Sequence, residues 1–154
     1  MARRLIFLLC LLLSLCSLAA AQNLDKVAAT TNGVLYLDKD EIHTLSNKNK
    51  QAVLLVQTKE QFTNAAYLKQ LRATAPELQK ADAVSRILMF NNDGTQVAVM
   101  KTLFTDKEEN IIYTIDGSTA FQPVQSRLIM QVYEKALDEL ERQQRINAMM
   151  RKKF

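Results

Sequence analysis

Val84-Ser85-Arg86-Ile87-Leu88-Met89-Phe90, then Asn91-Asn92-Asp93-Gly94, then Thr95 to Thr105, is the stretch that sets the fold class. Two strand-forming runs flank a turn in which Asp93-Gly94 supplies a conformation that tight hairpins need, so the stretch reads as an antiparallel hairpin. Lys107-Glu108-Glu109-Asn110 turns the chain again, Ile111 to Asp116 reads as a further strand, and Asp116-Gly117-Ser118 ends it.

Toward the N-terminus the same signals repeat. Asn23 to Thr30 is a strand candidate that runs into Thr31-Asn32-Gly33, a hairpin-type turn, and then Val34 to Asp38. Asp38-Lys39-Asp40 reads as a second tight turn, Glu41 to Leu45 as a short strand with Ile42 facing inward, and Ser46 to Lys50 as a polar loop. Gln51 to Thr58 holds Ala52-Val53-Leu54-Leu55-Val56, an apolar β-branched run expected in a central strand covered on both faces. From Gln61 to Leu71 the spacing of Phe62, Ala65, Ala66, Leu68 and Leu71 predicts a helix, with Pro76 interrupting before a second short helical piece to about Ala83.

After Pro123, the positions Val124, Leu128, Ile129, Val132, Ala136, Leu137 and Leu140 fall on one helical stripe. Burying each large member contributes about 1.5 to 3 kcal/mol, provided a sheet offers an apolar face, and alternating strands do. The expected architecture is α+β: an antiparallel sheet of about five or six strands with a long C-terminal helix packed across one face. There is no internal repeat, low-complexity tract or linker. The organisation predicted is residues 1–21 as a cleavable signal peptide, 22–145 as a single α+β domain, and 146–154 as a basic C-terminal tail.

The first part of that division rests on Arg3 and Arg4, the apolar run Leu5 to Leu18, and Ala19-Ala20-Ala21 before Gln22, the three parts of a secretory signal cleaved after Ala21. A retained anchor and lipidation at Cys16 are the rival readings; Leu15 before Cys16 is larger than the residue a lipidation site takes. Cleavage removes both cysteines, Cys10 and Cys16, so the domain must be held by an apolar core without disulfides. It also removes Arg3 and Arg4, leaving 18 basic against 16 acidic residues and a net charge of +2. Such a balance does not suit nucleic acid. The expected location is therefore the periplasm, the cell surface or the medium.

Few residues point to chemistry. Asp38, Asp40, Glu41 and His43 gather three carboxylates and the single histidine, but no second histidine or calcium-type loop completes a coordination shell, so they read as turn residues and no metal or other cofactor is expected. With no cysteine in the domain, no Gly-x-Ser-x-Gly elbow, and Gly33, Gly94 and Gly117 each isolated in a turn, neither a nucleophilic nor a phosphate-cradling site is expected, and no catalytic residue is assigned. Tyr36, Tyr67, Tyr113 and Tyr133 are too scattered for a stacking platform. The tail Met149-Met150-Arg151-Lys152-Lys153-Phe154 mixes apolar and basic residues; three cations fall short of a membrane-binding patch and suit a helix C-terminus instead.

Gly33 to Ile42, with Tyr36, Leu37, Asp38 and Ile42 in a Tyr-apolar-Asp-x-x-x-Ile order, resembles the opening of the surface-adhesin protein E-like domain family of bacterial envelopes. The later order is similar: an apolar strand at Ala52 to Val56, a hairpin at Asp93-Gly94, a strand at Ile111 to Asp116, then Pro123 and a final helix. The resemblance spans about Val27 to Leu140. It departs in lacking the family's two cysteines and its tryptophan. It implies a sheet covered by a helix, sometimes dimeric, and a non-enzymatic domain that binds a protein partner, in the family's namesake a host matrix or plasma protein. The second reading is a periplasmic accessory protein docking on another envelope component through a strand edge or the long helix. No binding residue carries over.

Overall fold

Nine residues of one hairpin arm and ten of the other, β4 (Ala83–Asn91) and β5 (Gln96–Thr105), pair antiparallel around the Asn91–Thr95 turn, as their alternation predicts. The structure is a computed structural model and describes residues 22–46 and 50–151. The stretch read as a signal, with Cys10 and Cys16, lies outside the described residues, as do 47–49 and 152–154. Around the hairpin the chain forms β1 (Leu24–Ala29), β2 (Gly33–Ser46), β3 (Ala52–Phe62), α1 (Ala65–Thr74), a 3-10 turn (Pro76–Leu78), then β4 and β5, β6 (Ile111–Asp116), β7 (Gln122–Pro123) and α2 (Arg127–Arg151). Six strands lie in the order β1-β2-β3-β4-β5-β6, every neighbour antiparallel, and the two-residue β7 pairs with the start of β5.

Cross-strand pairs share a face, so the register assigns the sides of the sheet. Leu35, Leu37, Ile42, Leu54, Val56, Leu88 and Phe90 point to one face, and α2 lays Val132, Tyr133 and Ala136 on them. The α+β architecture is as expected from the helical stripe. The helix crosses the sheet: Tyr133 packs on Phe90 with ring centroids 5.3 Å apart and donates its hydroxyl to the Asn92 carbonyl at 2.8 Å, while Lys135 meets Asp25 of β1 at 3.1 Å. Gly94, at φ +71°, leaves room for the Tyr133 ring, which a Cβ there would overlap at 2.3 Å.

Three expectations are corrected. Asp38-Lys39-Asp40 does not reverse the chain: both flanks pair with β3, Asp38 with Gln57 and Ile42 with Val56, so Lys39, Asp40 and Glu41 form a bulge inside one 14-residue strand. The local chemistry that suggested a turn is present, since the Asp40 amide donates to Asp38 Oδ1 at 3.2 Å, but ladder pairing on both sides decides the chain direction. The helix foreseen from Gln61 begins at Ala65, because β3 runs on to Phe62; the Phe62 amide donates to the Asp82 carbonyl, and the Gln61 amide side chain donates to the same oxygen. Asn64 then caps α1 by accepting from the Ala66 and Tyr67 amides. Beyond Pro76 there is a single 3-10 turn, and Ala83 already belongs to β4. At the C-terminus, α2 continues to Arg151, so the described part of the stretch read as a tail is helix.

Candidate functional site

The residues singled out for chemistry do not converge. Ile42 is buried and Glu41 and His43 are exposed on the opposite side of the strand, 3.4 Å apart between Oε2 and Nε2, as the alternation predicts. Asp40 is exposed and takes a long contact from Asn23. Asp38 is 5% exposed and points to the face away from Ile42. Among the described residues no three or more His, Cys, Asp or Glu side chains are grouped to hold a metal ion.

The surroundings of Asp38 shift its titration. Burial pushes its carboxyl pKa up, the Asp40 amide that it accepts from opposes the shift, the charges of Asp40 and Glu41 raise it, and the Lys59 ammonium lowers it. A carboxyl raised in the folded state adds stability below its ordinary pKa and loses it as pH climbs through the raised value. The expected result is that Asp38→Asn, which keeps an oxygen for the Asp40 amide, matches the wild type at and below about pH 3 and becomes the more stable protein as pH rises toward neutrality. Urea unfolding of both proteins across that range checks this. A wild type that gains on the variant with rising pH would reverse the assignment.

The tyrosines are equally dispersed. Tyr133 is buried on the sheet-facing side of α2, Tyr67 stands edge-on to Phe62 at the start of α1, Tyr36 is half-buried on β2, and Tyr113 is exposed on β6. A depression of about 420 Å³ opens at the end of the β4–β5 hairpin and is lined by Val53, Asn92, Asp93, Gln96 and Phe121 among others. Its one carboxylate, Asp93, is held below the usual range by the Thr95 hydroxyl and amide, hydrogen bonds that fix the turn.

On the face opposite α2, Lys59 is buried in the middle strand and its ammonium pairs with Glu109 from the β5–β6 loop and bonds Gln22, which precedes β1. Glu60, on the helix-bearing face, accepts from Thr30 Oγ1 at 2.6 Å and from Arg86 at 3.3 Å. These buried charges are partnered, which is what a folded interior requires of them.

The two sheet margins differ. β1 carries Asp25 and Lys26, is bulged between Lys26 and Ala28, and lies in contact with α2. β6 pairs on one side only and has no charged residue from Ile111 to Ile115. Tyr113 and Ile115 pair with Phe104 and Thr102, which places them on the α2 face of the sheet. There α2 leaves them uncovered: Tyr113 is 39% and Ile115 46% exposed, and Ile111 at the strand's start is 60% exposed. Phe104, half-buried with its ring centroid 6.3 Å from that of Tyr113, and the exposed Val99 extend the same apolar surface.

Sequence reading found the strand but not this site, because an edge is a relation between strands. The available signal was the uncharged run Ile111-Ile112-Tyr113-Thr114-Ile115. No helix among the described residues is long and apolar enough to cross a membrane. No family model matches the chain, and neither does any of the curated proteins with which it was compared.

Proposed function

We propose that the protein is an exported, non-enzymatic interaction domain that binds a protein partner along the β6 edge, the partner being a host protein at the cell surface or a component of the envelope. The observation that carries the reading is the uncharged, exposed edge of β6 with Tyr113 and Ile115 beside it. Natural sheets blunt such edges with lysine, proline, bulges or a covering element. β1 has charges, a bulge and α2; β6 is bulged at Ile112, but its span from Tyr113 to Ile115 has none of these. An extended segment of a partner can add to β6 through main-chain hydrogen bonds, with Tyr113, Ile115 and Phe104 receiving its alternate side chains. The Arg3-Arg4 start, apolar run and alanine triplet support export.

The test is crosslinking in intact cells from a photoreactive residue at Thr114, compared with the same residue at the exposed Glu134 on α2. A discrete adduct from position 114 that is lost in the Ile111→Lys/Ile115→Lys variant is the expected result. Adducts of equal yield from both positions, or none from 114, would remove β6 as the binding edge. Added protease then separates the two kinds of partner: a surface-exposed protein is digested in intact cells, and a periplasmic one is protected.

A further inference from the structure

Gln22 is exposed, yet it is tied to the fold. The Lys39 amide of β2 donates to the carbonyl of the next residue, Asn23, at 3.0 Å, and the Leu24 amide donates to the Gln22 carbonyl at 2.9 Å. The Gln22 side chain reaches the face opposite α2, where its Oε1 accepts from Lys59 Nζ at 3.1 Å. Lys59 is a fixed donor. Its side chain is 9% exposed, Tyr36 and Ser85 stand beside it in the register on either side, and Glu109 pairs with the same ammonium.

We propose that Gln22 is a modification site at which the exported chain closes its N-terminus to pyroglutamate, with Lys59 polarising the amide that reacts. Closure rests on the export proposed above, in which cleavage after Ala21 frees the Gln22 α-amine. A terminal amine is partly unprotonated at neutral pH and so is a nucleophile there. The step balances within one residue. The α-amine nitrogen attacks Cδ, a bond from nitrogen to Cδ forms, the bond from Cδ to Nε2 breaks, and Nε2 leaves as ammonia with the proton that the amine gives up. Negative charge gathers on Oε1 while Cδ is tetrahedral, and Oε1 is the atom that Lys59 holds. A cationic donor already placed at that oxygen acts as an oxyanion hole does. The same oxygen becomes the lactam carbonyl, so the product can keep its bond to Lys59 while the positive charge of the terminus is lost.

The experiment follows the N-terminal peptide of the exported protein by mass spectrometry. The full chain is made in a short pulse, collected after export, and incubated at neutral pH either folded or in guanidinium chloride. A peptide that begins at Gln22 and lacks one ammonia is expected. It should accumulate about tenfold faster from the folded chain than from the unfolded one, less than the hundredfold or more of an enclosed oxyanion-hole donor because Gln22 is exposed. Lys59→Met should slow closure to the unfolded rate, and Lys59→Arg, which keeps a cationic donor, should recover most of it. If Lys59→Met does not fold, the comparison of folded with unfolded wild type decides alone. A peptide that begins at Gln22 and keeps its ammonia, equal rates folded and unfolded, or closure of folded Lys59→Met at the wild-type rate would overturn the proposal and leave export standing. A peptide that begins at any other residue would withdraw the cleavage site and the modification together.

Discussion

Phe90→Ala is expected to lower stability by about 3 to 5 kcal/mol, the cost of removing a large aromatic from a core that cannot collapse around the gap. Phe90 is fully buried, flanked on the sheet by Leu54 and Val97, and roofed by the Tyr133 ring. Neither neighbour can follow it into the space. Leu54 is held by the β3–β4 ladder, and Tyr133 is anchored through its hydroxyl to Asn92 and closes on Gly94. For a domain of ordinary total stability this is a large fraction. With a urea dependence of about 2 kcal/mol per molar, the midpoint should fall by roughly 2 M. Phe90→Leu, which keeps most of the volume, should move it by less than half as much. Equal effects of the two substitutions would mean that the ring is not the element that seats α2.

What made Phe90 recognisable in the sequence also explains what was hidden. The hairpin and β6 were legible because period-two alternation and the Asn91–Gly94 turn are local signals, and β6 falls at Ile111–Asp116 as read. The helix was legible because Val132 and Ala136, both fully buried, lie on the stripe that the spacing marks. The bulge at Lys39–Glu41 was not, since its residues have the composition of a turn and only the pairing of Asp38 and Ile42 with β3 distinguishes the two. The start of α1 was misplaced because Phe62 fits a helical face and a strand equally well, and a contact with Asp82, twenty residues on, decides between them. The functional surface was the least legible. That β6 is an edge is a property of how strands are arranged, which spacing within one element does not encode.

Gly33 shows the same limit in a single residue, and replacing it should have the second large effect. In the sequence it reads as a turn glycine after Asn32, needed for backbone freedom. The structure gives a different reason. Among the described residues Gly94 alone of the glycines has a positive φ, while at Gly33 a Cβ would lie 1.8 Å from the Gln61 carbonyl oxygen and 2.9 Å from the Phe62 Cα. The obstacle is backbone of β3, which cannot rotate away as a side chain can. β2 would have to separate from β3 at the Gly33–Phe62 pair, and the Thr30–Gly33 turn, held by amide bonds from Asn32 and Gly33 to Thr30 Oγ1, would shift with it. Gly33→Ala should therefore cost about 3 kcal/mol or more, at or above the upper end for overfilling a packed site. The choice of substituent separates the two explanations. Asparagine adopts left-handed backbone more readily than alanine, so if freedom at a turn were the requirement, Gly33→Asn would be much milder than Gly33→Ala. If the approach of β3 is the requirement, both fail alike, because both add the same Cβ. Asn32→Ala, at a half-buried position whose side chain makes a long contact to Thr31, should change stability by no more than about 0.5 kcal/mol. A mild Gly33→Asn would return the glycine to the role that its sequence neighbours suggest.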